Sequence, residues 1–175
     1  MKAFIASSSR SESEEDLKIA KDVANIVVEK GDGLLCGGIS SGMMKAVYKA
    51  FHSLKRPVTC ITLEVYQEDL KEVEESLLVE TTFDRTKALY QQMDYAILLP
   101  GGSGSMAELF SMLEEARTTG AKKMFLYNEN GFFDSVIALL KECIRAGKND
   151  ETILRYFQVV TSQEELKEVL KGEEI

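Results

Sequence analysis

The stretch that decides the fold is DYAILLPGGSGSMAE, residues 94–108. It contains the continuous apolar run AILL, and a strand with such a run is typically covered by helices on both faces. A proline and three glycines end this strand, and from Ser105 onward apolar residues recur at helical spacing. They are Met106, Leu109 and Leu113. A buried strand, a glycine-rich turn and a helix together indicate one unit of a parallel α/β sheet.

Similar units recur along the whole chain, because short β-prone runs alternate with helical patterns. We predict strands at residues 2–7, 33–36, 58–63, 94–99, 123–127 and 157–161. The sequence therefore predicts an α/β fold: a Rossmann-like, doubly wound parallel sheet in a three-layer αβα arrangement, with residues 1–175 as a single domain.

Besides the helix after the glycine-rich turn and the helix that carries Arg85, three more segments between these strands are predicted to be helical. The first is predicted to start near Ser11 or Ser13, whose hydroxyls can cap it, and acidic residues follow in its first turn. The second is predicted over residues 42–54. Residues 66–80, YQEDLKEVEESLLVE, are rich in charge, and we predict a surface helix there.

Composition limits the class of partner. The formal net charge is −8, and nucleic-acid binding relies on Lys and Arg that neutralise phosphates, so we expect no nucleic-acid partner. No apolar run approaches the roughly 20 residues that span a bilayer, and the N-terminal segment turns acidic where a signal peptide would stay apolar. We therefore expect a cytoplasmic protein with no membrane partner.

The cysteines and the single histidine do not suggest a metal site. Cys36, Cys60 and Cys143 are odd in number, far apart and without metal-ligand spacing, so we expect small, buried apolar side chains. His52 lies within the predicted helix 42–54 and has no neighbours in sequence that would complete a metal site or a catalytic triad.

Three loops rich in small residues each follow a predicted strand. They are ASSS (residues 6–9), GGISSG (residues 37–42) and GGSGS (residues 101–105). The carboxyl ends of parallel strands share one sheet edge, where glycine lets the backbone approach a ligand and helix N–H groups attract anions. We therefore predict a phosphate site there. Its candidate residues are Ser7, Ser8, Gly37, Gly38, Gly42, Gly101, Gly102, Ser103, Gly104 and Ser105.

Two common phosphate motifs do not fit these loops. A Walker A loop would need Lys and Ser or Thr where the chain has Met43 and Met44. A dinucleotide fingerprint would need a third glycine after residues 102–104 and a place after the first strand. A mononucleotide or sugar phosphate is the more natural ligand, although the glycine pair at 37–38 also fits a plain tight turn.

Two charged residues are predicted to lie beside the third loop. Glu108 follows the loop by about one helical turn, so its carboxylate can reach past a phosphate to a sugar. Arg85 lies on the helix that leads into strand 94–99, where a cation can approach phosphate or ribose and favour the ionised form of Glu108. Taken alone, each residue is also compatible with a surface ion pair.

Four motifs occur in a recognisable order: CGGISSGMMKAV, FDRTK, PGGSGSMAE and YNENGFFDSVIALL. Over nearly the whole chain they resemble the lonely-guy (LOG) family of nucleoside 5′-monophosphate phosphoribohydrolases, whose members are often labelled lysine decarboxylases. The family's marks are a GGGxxGLM-like loop, an ERK-like segment and PGGxGTxxE. Arg85 and Glu108 match the second and third marks independently.

The resemblance implies a Rossmann-like homodimer that cleaves an AMP-like or cytokinin riboside monophosphate-like nucleotide into a free base and ribose 5-phosphate. It implies that residues 101–105 hold the 5′-phosphate and that Met43 belongs to the nucleotide site. Arg85 and Glu108 would be the catalytic pair, with no metal and no organic cofactor. A carboxylate at this place can stabilise the oxocarbenium character that develops on the ribose.

Three positions depart from the family pattern. Thr86 stands in place of the lysine, Ser105 in place of the threonine and Asp84 in place of the glutamate. Ser105 keeps the hydroxyl, whereas the missing lysine removes a charge near the substrate. A non-catalytic nucleotide or molybdenum-cofactor carrier or sensor on the same fold is therefore the alternative, since it needs the glycine loops but not the Arg85–Glu108 pair.

Overall fold

The computed structural model describes residues 1–70, 73 and 75–172, and in these residues it contains seven strands and six α-helices. The strands are β1 (Lys2–Ala6), β2 (Gly33–Cys36), β3 (Val58–Leu63), β4 (Glu75–Val79), β5 (Tyr95–Leu98), β6 (Lys123–Tyr127) and β7 (Gln158–Val160). The helices are α1 (Glu14–Lys30), α2 (Gly42–Ser53), α3 (Thr82–Gln92), α4 (Ser103–Thr119), α5 (Asp134–Arg145) and α6 (Gln163–Lys171). Two 3₁₀ segments cover Glu64–Leu70 and Glu151–Arg155.

The strands form one parallel sheet in the order β4-β3-β2-β1-β5-β6-β7. The chain winds outward from the central strand β1 to β4, returns to the other side of β1 and winds outward again from β5 to β7. This reversal confirms the predicted doubly wound sheet. Its switch point lies between β1 and β5, the position where such sheets open a crevice for a ligand.

Alternate side chains of the strands face two separate cores, one on each side of the sheet. Ile5 of β1 faces the core formed with α1, α2 and α6, whereas Phe4 faces the core formed with α3, α4 and α5. The six helices therefore cover both faces, which confirms the three-layer arrangement. It also explains why the central strands are continuously apolar.

The first helix starts where its cap predicts. Ser13 is the N-cap residue of α1, and its hydroxyl accepts a hydrogen bond from the backbone N–H of Asp16. Gly31 ends the helix in the left-handed region at φ +97°, a conformation that glycine adopts without steric cost.

The prediction of a surface helix over residues 66–80 is wrong. The first 3₁₀ segment covers the beginning of this stretch and β4 covers its end, while residues 71, 72 and 74 lie outside the described part of the chain. The strand pairs with β3 over five positions, from Thr59 with Glu75 to Leu63 with Val79. These sheet contacts outweigh the local helical preference of a charged stretch, as tertiary context commonly does.

Other expectations concern single residues. Cys36 and Cys60 are buried as predicted, Cys143 is half-buried, and none of the three forms a disulfide within the described part of the chain. His52 is exposed, and its ring lies against Tyr48 with the ring centroids 5.3 Å apart. Among the described residues, no helix has both the length and the apolar character needed to cross a membrane.

Candidate functional site

A cavity of about 650 Å³ lies at the carboxyl ends of β1, β2, β3 and β5, across the switch point of the sheet. Ten predicted site residues line it: Ser7, Ser8, Gly37, Gly38, Arg85, Gly102, Ser103, Gly104, Ser105 and Glu108. Its volume is within the range of about 300–1,000 Å³ typical of small-molecule sites. Loops that are far apart in the sequence therefore meet at one crevice.

Three other predicted residues lie outside the cavity lining. The side chain of Met43 is fully buried in the core beneath α2. At Gly101, a Cβ atom would overlap the side chain of Ser105, so glycine allows the loop to fold tightly onto that serine. Gly42 has φ +55°, and a Cβ atom there would lie 2.7 Å from the carbonyl oxygen of Ser9. These residues shape the loops from outside the cavity.

The N-terminus of α4 forms one end of the cavity and is open. Its N-cap residue is Gly102, no side chain of the described residues caps the helix, and its first turn contains no acidic residue. Apart from its chain neighbours and the backbone of α4 itself, a Cβ atom at Gly102 or Gly104 would have no described atom within 4 Å. The first N–H groups of this 17-residue helix have no partner within the helix and lie at its positive end, an arrangement that attracts anions.

The other helix that starts at the cavity is covered. The α2 N-cap, Ser41, donates its hydroxyl proton to the carbonyl oxygen of Ser9 at 2.8 Å. The N–H of Met44 donates to the carbonyl oxygen of Ser8 at 3.4 Å. The loop after β1 thus crosses the start of α2, which leaves α4 as the open anion position of the two.

Arg85 and Glu108 meet beside this open helix end. Arg85 lies in the first turn of α3, and its Nη2 is 3.4 Å from Oε1 of Glu108 in the second turn of α4. The Glu108 residue is only 8% exposed. Burial raises the pKa of its carboxyl to about 7, although the neighbouring Arg85 cation lowers it. Burial thus favours the protonated form of this carboxyl group, while Arg85 favours the ionised form.

The ion pair is loose and leaves donors free. At 3.4 Å it is longer than the 2.7–2.9 Å of strong charge-assisted hydrogen bonds. Arg85 Nε and Ser7 Oγ are buried and have no hydrogen-bond partner among the described residues. Buried polar groups are rarely left unpaired, and both of these residues line the cavity. A polar ligand would supply the missing partners.

Gly37 leaves room for such a ligand next to the pair. It follows β2, and a Cβ atom at this position would lie 3.5 Å from Glu108 Oε1 and 3.8 Å from Arg85 Cδ. The backbone at the end of β2 therefore passes directly beside the carboxylate. Without a side chain there, the carboxylate stays accessible from the cavity.

Several residues that line the cavity were not predicted from the sequence. They are Arg10, Met44, Val47, Thr62 and Tyr66, among others. Tyr66 lies in the stretch for which a surface helix was predicted, and Thr62 lies within a strand. The sequence around Tyr66 and Thr62 therefore gave no sign of a site, because only the parallel order of β1, β2 and β3 brings these two residues to this edge.

Comparisons with known proteins show the family and the fold of the chain. A family model described as "Possible lysine decarboxylase" matches residues 44–170. Cytokinin riboside 5′-monophosphate phosphoribohydrolase LOG2 of Arabidopsis thaliana is 27% identical over 159 residues, which cover 87% of this chain and 73% of that protein. Cytokinin riboside 5′-monophosphate phosphoribohydrolase LOG of Oryza sativa subsp. japonica is 30% identical over 162 residues, which cover 89% and 65%.

Solved structures share the fold at lower sequence identity. The molybdenum cofactor carrier protein MCP from Chlamydomonas reinhardtii matches with a TM-score of 0.73 at 16% identity, covering 98% of this chain and 96% of that chain. The molybdenum cofactor binding protein from Rippkaea orientalis matches with a TM-score of 0.66 at 14% identity, covering 98% and 94%. At these identities the likeness shows a common fold and nothing more.

Proposed function

We propose that this chain, which belongs to the family described as "Possible lysine decarboxylase", hydrolyses the N-glycosidic bond of a nucleoside 5′-monophosphate. The products are a free base and ribose 5-phosphate. The match to this family model and the relatives that are named phosphoribohydrolases confirm the predicted resemblance to the LOG family. The observation that carries the proposal is the buried carboxyl of Glu108 beside Arg85, in the same cavity as the open end of α4.

The open end of α4 is suited to the 5′-phosphate. Backbone N–H groups at Ser103 and Gly104 lie in the first turn, where the helix dipole favours a negative charge. Ser7 lines the same cavity, and its buried hydroxyl has no partner among the described residues, so its proton can be donated to a phosphate oxygen. This arrangement binds phosphate without a lysine, which fits the presence of Thr86 at the family's lysine position.

Glu108 is suited to the chemical step. When the bond between C1′ and the base nitrogen breaks, the electron pair leaves with the base and positive charge develops on the ribose. An ionised Glu108 stabilises that charge and accepts a proton from the water that adds to C1′, while the departing base nitrogen takes up a proton, so that the products are the neutral base and ribose 5-phosphate. Arg85 holds the carboxylate and has a free Nε for the ribose or the phosphate.

The amino-acid decarboxylation named in the family description does not fit these residues. Pyridoxal phosphate enzymes need a lysine that forms a Schiff base with the cofactor. Among the described residues, the cavity lining includes two arginines, Arg10 and Arg85, but no lysine. The donors present here therefore match a phosphate and a sugar better than they match pyridoxal phosphate.

A homodimer is part of the proposal. Large apolar side chains are exposed on β4, on the first 3₁₀ segment and on the adjoining helices α3 and α4. They are Val65, Leu77, Leu78, Phe83 and Phe110. An exposed edge strand with apolar neighbours is a common interaction surface. A second copy of the chain would cover it, in keeping with the symmetric dimers that most soluble oligomers form.

A panel of nucleoside 5′-monophosphates tests the proposed reaction. The purified protein is incubated with each nucleotide, and free base and ribose 5-phosphate are measured by chromatography. We expect equal amounts of both products from at least one nucleotide. Tight binding of a nucleotide without release of base would instead support the carrier or sensor alternative.

A further inference from the structure

We infer that the base of the nucleotide lies at the β3 end of the cavity, stacked on Tyr66. This inference rests on the proposed function for the identity of the ligand. It assigns a binding role to a residue in the first 3₁₀ segment, Glu64–Leu70, which is distant in sequence from both the phosphate loop and the catalytic pair. The order of the strands and the chemistry of each part of the cavity support this role.

The strand order gives the ligand a direction. The open end of α4 follows β5, Gly37 follows β2, and Tyr66 follows β3. Neighbouring strands are roughly 4.8 Å apart, so the cavity extends about 14 Å from β5 to β3 across β1 and β2. When the phosphate lies at α4 and the ribose at Glu108, the ligand occupies the β5 end and the middle of the cavity.

In the opposite direction the described part of the cavity offers no lining for the base. Among the described residues, none beyond Glu108 in the sequence lines the cavity. The strands on the far side of β5 are β6 and β7, and neither contributes to the lining. A base attached to a ribose at Glu108 therefore points toward β3.

The chemistry of the β3 end suits an aromatic ring. The lining contributed by α2 and β3 combines the apolar side chains of Met44 and Val47 with the buried hydroxyl residue Thr62. Tyr66 is 52% exposed, so part of its ring is free to contact a ligand. Sites for organic ligands are typically apolar and aromatic with few polar groups, and aromatic side chains stack on nucleobases.

Stacking on one exposed ring depends on ring area more than on the hydrogen-bonding pattern of the base. We therefore expect purine nucleotides to bind better than pyrimidine nucleotides, because a purine presents the larger face to Tyr66.

The test compares Tyr66→Ala with the matched variant Tyr66→Phe, which keeps the ring. Affinities for AMP and for base-free ribose 5-phosphate are measured by calorimetry, with Glu108→Gln as the background so that AMP stays intact. We expect Tyr66→Ala to weaken AMP binding roughly 5- to 150-fold, as loss of one base stack does. Tyr66→Phe should keep the AMP affinity of the Glu108→Gln protein. The affinities of Glu108→Gln and of its two Tyr66 variants for ribose 5-phosphate should agree within about twofold.

The outcomes separate this inference from the proposed function. An equal loss of affinity for AMP and ribose 5-phosphate in Tyr66→Ala would overturn the stacking role, and so would unchanged AMP affinity. Absence of base release by the unmodified protein would contradict the hydrolase proposal only, because the binding comparison needs no turnover. Thermal melting of the variants checks the fold, which we expect to be unchanged because the Tyr66 side chain is largely exposed.

Discussion

Glu108 shows how one position can give an ordinary carboxyl group an unusual ionisation. The residue is 8% exposed, and its burial raises the pKa to about 7 even though Arg85 is close enough to lower it. A carboxyl group with this pKa exchanges protons easily at neutral pH, which is typical of catalytic acids and bases. Glu108 itself was predictable from the PGGSGSMAE motif, but its burial was not, because burial depends on how α3 and β2 pack around it.

This ionisation predicts a pH dependence. Because charge stabilisation needs the ionised carboxylate, kcat/KM of the unmodified protein should be low below pH 6 and rise with an apparent pKa of about 7. In Arg85→Ala, the pH at which the remaining activity rises should shift upward, because the cation that lowers the pKa of Glu108 is gone. The measurement is initial rate against pH at low substrate concentration.

Titration of the substrate needs a control, because phosphate monoesters also ionise near pH 6. The affinity of Glu108→Gln for ribose 5-phosphate, measured over the same pH range, isolates that contribution. A kcat/KM that stays flat or falls between pH 6 and 8 after this correction would show that turnover does not need an ionised Glu108.

Among the elements, α4 and β4 show what local sequence can and cannot indicate. The glycines and serines of residues 101–105 predict an open helix start after a strand, although α4 begins at Ser103, two residues before the expected position. In contrast, β4 was missed because charged residues surround its short apolar run, and only its pairing with β3 makes it a strand. The strand matters to the site, since it leads into α3 and so places Arg85.

Because the end of α4 is open, we expect Gly102→Val to abolish ligand binding without changing the stability of the fold. The glycine has φ −82° and ψ −161°, an extended conformation that valine also adopts, and beyond its chain neighbours no described atom lies within 4 Å of an added Cβ. The fold should therefore keep its melting temperature, while the new methyl groups occupy the phosphate position and abolish binding of ribose 5-phosphate. Gly102→Ala should give a smaller loss, and unchanged affinity in Gly102→Val would remove this helix end from the site.

For the whole molecule, the order of the strands explains the site. Residues from four strand ends, spread from Ser7 to Glu108, converge because β1, β2, β3 and β5 are neighbours in the sheet. The predicted strands and loops were sufficient to place the three small-residue loops at one edge. They were not sufficient to find Tyr66 or Thr62, whose contribution to the cavity depends on tertiary packing and not on any local motif.

The exposed apolar surface predicts that the protein forms a homodimer. Light scattering at micromolar concentration should give the mass of a dimer for the unmodified protein. Phe83 is 80% exposed in the single chain, so Phe83→Glu should leave the subunit folded and shift the mass to that of a monomer. The control is Leu54→Glu, since Leu54 is 61% exposed but belongs to the end of α2. A monomeric unmodified protein, or a Phe83→Glu variant that stays dimeric, would argue against this interface.

The most direct test of the hydrolase proposal is release of base by the unmodified protein and by Glu108→Gln from the same nucleoside monophosphate. The substitution keeps the shape of the side chain and removes the charge that stabilises the developing oxocarbenium ion. We predict that turnover falls by on the order of a hundredfold, equivalent to about 2.7 kcal/mol of barrier, while the affinity for ribose 5-phosphate changes far less. Equal turnover by the two proteins would contradict the catalytic role of Glu108, and absence of base release by the unmodified protein would contradict the hydrolase proposal itself.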